Sequence, residues 1–254
     1  MANRGALVVY VTFGDPTPAA SSAILDAIAS AGADVIELGV PFSDPSADGP
    51  VIQAAMERAL AAGGGLVSAL DAVAALRARG CDVPIVLFGY YNPIVVMGTD
   101  RFAERAAAAG VDAVLTVDLP LEEIAELREP LRARGLDVIP LLAPTSTPDR
   151  VDRVAALAPP FVYYISITGV TGAGDGAARV AADHVSAIRA RVGVPVMVGF
   201  GIKTGDDAAR VVAIADGAVV GSAIVDRIAS GGIPGVTALV GELVSRMPRS
   251  AAAR

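Results

Sequence analysis

Hydrophobic positions along this chain fall into two alternating textures. Short runs rich in Val, Ile and Leu are separated by longer Ala-rich stretches with apolar residues at helical spacing. The short runs are Ala6–Thr12, Asp34–Leu38, Val83–Gly89, Asp112–Val117, Asp137–Leu142, Phe161–Ile165, Pro195–Val198 and Gly217–Val220. They show almost no polar alternation, which predicts parallel strands covered on both faces. Between them the pattern predicts helices over Thr17–Ile28, Val51–Ala62, Leu66–Arg79, Thr99–Ala109 and Asp149–Leu157. Further helices are expected with Glu122 and Glu123 in a first turn, from Val180, from Thr204 to Ala215, and from Gly221-Ser222. Tyr90–Pro93 and Thr168–Gly176 read as loops.

Eight strand–helix units in strict alternation predict an α/β fold, a single (β/α)8 TIM barrel over residues 1–254, with 249–254 as a frayed tail. A doubly wound sheet is the competitor, but no G-x-G-x-x-G follows the first strand. In a barrel of this kind the strand C-termini form the active face. That expectation gathers Glu37, Asp48, Tyr90, Asn92, Asp118, Tyr163, Thr171, Gly201 and Ser222 around one mouth.

Composition narrows the chemistry. The net charge is −7 and the pI about 4.7, which speaks against a nucleic-acid surface. An anion must then be held locally, by backbone N–H groups and helix ends. The lone Cys81 leaves neither an internal disulfide nor a cysteine metal cluster, and is expected to be a buried, inert thiol. The lone His184 sits in a polar helix and is expected to face solvent. With no signal peptide and no uninterrupted apolar run of about 18 residues, the chain reads as cytoplasmic.

The densest chemistry lies in Glu37-Leu-Gly-Val-Pro-Phe-Ser-Asp-Pro-Ser-Ala-Asp-Gly-Pro50. Three carboxylates, Glu37, Asp44 and Asp48, are held by prolines and glycines that fix the backbone. Glu37 alternates with core residues in a strand, so desolvation should raise its pKa. Asp48, on a looser loop, should stay ionised. Two acids in unlike environments suit an acid/base pair. Asp44 reads equally well as a turn cap. Gly199-Phe-Gly201 and Gly221-Ser222 follow the last two strands, where a phosphate site commonly forms. Ser222 is expected both to cap its helix and to donate to a phosphate oxygen.

The stretch from Glu37 to Leu60 closely resembles the signature of the tryptophan synthase α subunit family. The resemblance extends over nearly the whole chain. It includes Gly14-Asp-Pro16, Tyr90-Tyr-Asn-Pro93, Asp118-Leu-Pro120, Ala143-Pro-Thr145, Tyr163, Gly169-Val-Thr-Gly172, Gly199-Phe-Gly-Ile202 and Gly221-Ser-Ala-Ile-Val225. It implies retro-aldol cleavage of indole-3-glycerol phosphate to indole and glyceraldehyde 3-phosphate, in the last steps of tryptophan biosynthesis. It also implies no metal and no organic cofactor in this chain. Pyridoxal phosphate is expected only in a β partner, with which the family forms an α2β2 tetramer.

By position, Glu37 resembles the acid/base at indole C3 and the glycerol hydroxyl, and Asp48 the carboxylate that pairs with the indole N–H. Tyr163 resembles a pocket residue near Glu37, and Tyr10 and Phe88 line the indole pocket. Gly172, Gly201, Gly221 and Ser222 resemble the phosphate site, and Thr171 the closing-loop residue that contacts Asp48. Asp44, Pro45, Asn92 and Pro120 match the docking face.

Two departures stand out. Only Met1 to Gly5 precede the first strand, where the family usually carries an extra helix over the barrel floor, so that floor helix is expected to be missing. Ile167 stands in the closing loop where many relatives carry an arginine. They leave open a stand-alone lyase that releases free indole for secondary metabolism. A non-catalytic activator of a β subunit is the third reading, opposed by Glu37 and Asp48. Another phosphate-binding barrel isomerase would explain the glycine loops and not the acid loop.

Overall fold

The structure is a computed structural model that describes residues 5–165, 175–199 and 201–247, with the backbone alone over 175–180. The first described element is β1 (Ala6–Thr12). It pairs in parallel with β2 (Val35–Gly39) on one side and β9 (Gly217–Val220) on the other. Beyond β2 lie β3 (Ile85–Gly89), β4 (Ala113–Thr116) and β5 (Asp137–Val138). Beyond β9 lie β8 (Val196–Gly199), β7 (Val162–Ile165) and β6 (Leu141–Leu142). The sheet order is therefore β5-β4-β3-β2-β1-β9-β8-β7-β6.

The two ends of that order are halves of one predicted strand. Asp137–Leu142 breaks at Ile139-Pro140, because Pro140 has no N–H to give to a ladder. The backbone still bridges the break. Ile139 N–H donates to the Val114 carbonyl on β4 at 2.9 Å, and Tyr163 N–H on β7 donates to the Pro140 carbonyl at 3.1 Å. The sheet thus closes on itself as an eight-stave parallel barrel, the (β/α)8 fold, whose fifth stave is split.

Period-two alternation sorts the strand residues into two cores. Val8, Tyr10, Val86, Phe88, Leu115 and Met197 fill the interior. Leu7, Val9, Ile36, Leu38, Leu87 and Val198 face outward and pack under the helices. Glu37, between Ile36 and Leu38, takes the inward position.

The floor of the barrel repeats one device. Asp34, Asp112 and Asp216 each stand just before a strand and accept a backbone N–H from the neighbouring strand. The donors are Leu7 (2.7 Å), Ile85 (2.7 Å) and Val196 (2.9 Å). Arginines reach in from the helical layer. Arg77 of α3 (Leu66–Ala78) meets Asp112 at 2.6 Å, and Arg189 of α8 (Asp175–Val192) meets Asp216 at 2.7 Å. Arg128 of α6 (Ala125–Arg132) meets Asp137 at 3.1 Å.

Several sequence expectations are corrected. Tyr90–Pro93 is not a loop throughout: a short helix, α4 (Tyr91–Met97), begins there, with its first N–H taken by the Asp118 carboxylate at 2.8 Å. Glu122 and Glu123 lie in a turn before α6 rather than in its first turn. Arg153 of α7 (Pro148–Ala156) holds Glu122 there at 2.6 Å. Helix α8 starts at Asp175, ahead of the expected Val180. Cys81 is only partly buried, because it lies in the turn after α3, where its carbonyl accepts from Arg77. His184 is exposed, as expected.

The last helix, α10 (Ser222–Arg246), has the length and mean hydropathy of a membrane span. It breaks at Gly232 (φ 56°) and contains Pro234. Its face of Ile224, Ile228, Val236, Leu239 and Leu243 packs into the barrel's outer core. The expected tail, 249–254, lies outside the described residues.

Candidate active site

Glu37 and Asp48 reach the mouth of the barrel by different routes. Glu37 rides β2 inward, in register with Tyr10 on β1 and Val86 on β3. It is 1% exposed, and its Oε1 has no hydrogen-bond partner among the described residues. Burial alone pushes its pKa from the ordinary 4.5 up to about 8. At neutral pH it is therefore a carboxylic acid with a proton to give.

Asp48 sits on the loop between β2 and α2 (Pro50–Ala61) and is half-buried. The Tyr90 hydroxyl donates to its Oδ2 at 2.7 Å and accepts from Ala47 N–H at 2.9 Å. Gln53 of α2 donates its side-chain amide to the Asp48 carbonyl at 2.8 Å. The loop is held from both sides rather than loose. Burial raises the Asp48 pKa and the Tyr90 hydroxyl partly opposes that rise. Asp44 is exposed beside Ser43, which donates to its carboxylate.

Aromatic rings wall the interior. Tyr10 and Phe88 meet edge to face, with centroids 5.2 Å apart. Tyr10 leans over Gly39 of β2, where an added Cβ would lie 2.3 Å from its hydroxyl. Tyr163 leans over Gly199 of β8 in the same way, at 2.1 Å. Both glycines exist to let a ring lie across the neighbouring strand. Burial, and then the charge of Glu37, push the Tyr163 phenol well above its ordinary pKa, so it stays a neutral donor.

An open cavity of about 470 Å³ occupies the mouth. Gly49 and Pro50 border it on one side, Tyr163 and Gly199 on another, and Gly201, Gly221 and Ser222 on the third. Gly221 precedes α10 and supplies no side-chain cap. Ser222 is the first helical residue, so its expected capping role is corrected: the cap position belongs to Gly221. The first turn of α10 therefore presents uncapped N–H groups at the cavity. Gly221 has an ordinary φ of −116°, and an added Cβ would meet only ordinary contacts with Tyr10 at 3.6 Å. Packing does not demand glycine there.

Thr171, Gly172 and Ile167 lie outside the described residues, as does the expected loop Thr168–Gly176 up to residue 174; Asp175 and Gly176 belong to α8 instead. Asn92 and Asp118 stand at the rim: Asn92 is exposed on α4 and Asp118 caps that helix. Asp44, Asn92 and Pro120 are exposed and Pro45 is half-buried. Their segments are tied together, because Ala47 bonds Tyr90 and Tyr91 bonds Asp118. Beside them Val95 and Val96 are 52% and 80% exposed, an apolar rim that sequence reasoning missed. The signal was the apolar run Pro93-Ile-Val-Val-Met97 ahead of Gly98. Tyr90 and Gln53 as supports of Asp48 were also missed, since neither contact is local.

Comparison with known proteins agrees with this geometry. The family described as tryptophan synthase alpha chain matches residues 1–242. A tryptophan synthase alpha chain from Geobacter sulfurreducens is 58% identical over 223 residues, covering 88% of this chain and 84% of that one. One from Nitrosococcus oceani is 52% identical over 225 residues, covering 89% and 83%. A crystal structure of tryptophan synthase subunit alpha from Legionella pneumophila superposes with a TM-score of 0.89 at 36% identity, covering 95% and 92%. A chain from the crystal structure of tryptophan synthase from M. tuberculosis, in an aminoacrylate-bound form, gives 0.88 at 36% identity, covering 97% and 94%.

Proposed function

Because the chain belongs to the tryptophan synthase alpha chain family, and so has a lyase role in tryptophan biosynthesis, we propose that Glu37 and Asp48 carry its reaction. The reaction is cleavage of indole-3-glycerol phosphate to indole and glyceraldehyde 3-phosphate. The observation that carries this reading is the buried Glu37 carboxyl, whose Oε1 lacks a partner among the described residues and whose pKa burial raises to about 8.

The indole ring lies in the pocket that Tyr10 and Phe88 line, and the phosphate sits on Gly201, Gly221 and Ser222. Glu37 gives its proton to the ring carbon C3. Positive charge spreads to the ring nitrogen, whose N–H donates to the Asp48 carboxylate. The Glu37 carboxylate then takes the proton of the glycerol hydroxyl next to C3. That oxygen's electrons form the aldehyde C=O, the C–C bond breaks, and its electron pair restores the aromatic ring. Glu37 ends protonated, as it began, and no electrons leave the system. Tyr163, as a neutral phenol, steadies the Glu37 carboxylate while it exists. No metal or organic cofactor takes part in this scheme. Thr171 and Gly172 are assigned to the same site, Thr171 beside Asp48 and Gly172 at the phosphate.

The same reading assigns the face of Asp44, Pro45, Asn92 and Pro120, widened by Val95 and Val96, to a tryptophan synthase β subunit. Pyridoxal phosphate belongs to that partner, and the pair works in the cytoplasm. Indole release from indole-3-glycerol phosphate, with and without a β subunit, tests this. Release that rises by orders of magnitude with the β subunit and vanishes in Glu37→Gln is expected. Unchanged turnover in Glu37→Gln would sink the catalytic assignment. Fast release indifferent to the β subunit would point to a free-standing lyase.

A further inference from the structure

One helix joins the Asp48 loop to an ion pair that the chemistry does not use. Asp15, in the loop after β1, is 3% exposed. Arg58, towards the far end of α2, meets it as a fork: Nε donates to Oδ1 and Nη2 to Oδ2, both at 2.8 Å. Asp15 is itself anchored. Its carbonyl accepts from the Ser21 hydroxyl of α1 (Pro18–Ala31) at 3.4 Å, and the same hydroxyl accepts from Gly14 N–H at 2.8 Å. An added Cβ on Gly64, just past α2, would stand 2.9 Å from the Ala59 carbonyl oxygen and 3.3 Å from that of Phe13. Backbone therefore packs on backbone where α2 ends.

The near end of α2 carries Gln53. Its side-chain amide donates to the Asp48 carbonyl at 2.8 Å and to the Pro45 carbonyl at 3.3 Å. Gln53 and Arg58 lie about 7.5 Å apart along the axis of one helix. The buried face between them is Ala55, Met56 and Ala59. Alanine gives that face little relief, so packing alone fixes neither the slide nor the roll of the helix. A bidentate arginine–carboxylate pair fixes both, because its two parallel bonds hold in one relative geometry. Fold stability is a weak reason for such a pair, since burying the Asp15 carboxylate costs about as much as the pairing returns.

From this arrangement we infer that Arg58, gripped by Asp15, is a positioning residue for the reaction: it fixes α2 so that Gln53 holds Asp48 where its carboxylate meets the Tyr90 hydroxyl and the indole N–H. Arg58 acts through Asp48, and the inference rests on the role proposed above for that carboxylate.

Arg58→Lys is the direct test. Lysine keeps the charge, so Asp15 is not left unpaired, but it cannot make the fork. In the whole chain, kcat for indole release should fall roughly tenfold while KM moves less than about threefold, because Asp48 meets charge that develops only in the transition state. The carbon-13 titration midpoint of the Asp48 carboxyl should move up as it slips from the Tyr90 hydroxyl. Asp15→Asn combined with Arg58→Leu, which removes both charges together, should reproduce both changes. A folded Arg58→Lys with the parent kcat would overturn the inference. So would a lowered kcat with an unmoved Asp48 midpoint, the result of a general loosening of the fold. An inactive parent chain would instead fell the catalytic reading of Asp48, and the Asp48 midpoint would still decide whether Arg58 positions it.

Discussion

The two ends of the barrel treat their carboxylates in opposite ways. At the floor, Asp112 and Asp216 each hold a backbone N–H of the adjacent strand and an arginine from the helical layer. Asp34 holds the same kind of backbone N–H. At the mouth, Glu37 is more deeply buried than any of these, yet its Oε1 has no partner among the described residues. Among the described side chains, Tyr90 is the one that bonds the Asp48 carboxylate. Satisfied floor acids tie strand to strand and strand to helix. Unsatisfied mouth acids leave protons free to move. The arrangement agrees with the division of labour expected of this fold, stability below and chemistry above.

The largest effect should come from Glu37→Gln. Turnover should fall by roughly 10² to 10⁴, measured as indole release. Stability should move the other way. The folded-state pKa is raised from 4.5 to about 8, so below pH 4.5 both states are protonated and nothing is lost. As pH rises from there towards 8, the unfolded chain ionises while the folded one keeps its proton, and stability drains away. By pH 7 the loss is on the order of 3 kcal/mol. Glu37→Gln lacks this titration, so urea unfolding should show the variant gaining on the parent chain between pH 5 and 8, an interval on the order of the shift itself.

Next in size is a floor variant. Asp216→Ala removes the acceptor of Val196 N–H and the partner of Arg189. Stability should drop by roughly 1–3 kcal/mol, mostly from the orphaned backbone donor, since Arg189 is half-exposed and contributes little. The kcat should not change. A large loss of kcat in a folded Asp216→Ala would erase the contrast between the two ends.

Tyr90→Phe should act more gently and only at the mouth. The ring still stacks with Phe42, at 5.1 Å between centroids, but Asp48 loses its hydroxyl donor. Activity should fall roughly tenfold. The acid limb of the pH–rate profile should also move to higher pH, because the hydroxyl holds the Asp48 pKa down. Glu37, Tyr10 and Tyr163 share this interior with Asp48, and none of them supplies a compensating positive charge. A lower rate with an unmoved acid limb would reduce Tyr90 to a packing residue.

Much of this molecule was legible in its sequence, for local reasons. The apolar strands and Ala-rich helices set the barrel, and Glu37 betrayed itself as a charge in a strand of core residues. What escaped reading was long-range. Pro140 splits a strand, yet the closure across the break depends on Val114 and Tyr163, which lie 25 and 24 positions from Ile139. The helix α4 exists because Asp118, from another unit, caps it. Tyr90 reaches Asp48 across 42 positions. No local pattern showed that the rings of Tyr10 and Tyr163 would lie across Gly39 and Gly199.

A carbon-13 NMR titration of the Glu37 carboxyl in the whole chain tests the central claim most directly. A midpoint near 8 is predicted, with the carboxyl protonated at pH 7 and ready to serve as the acid. A midpoint near the ordinary 4.5 would mean that Glu37 is a carboxylate at neutral pH, and the contrast between mouth and floor would fail with it.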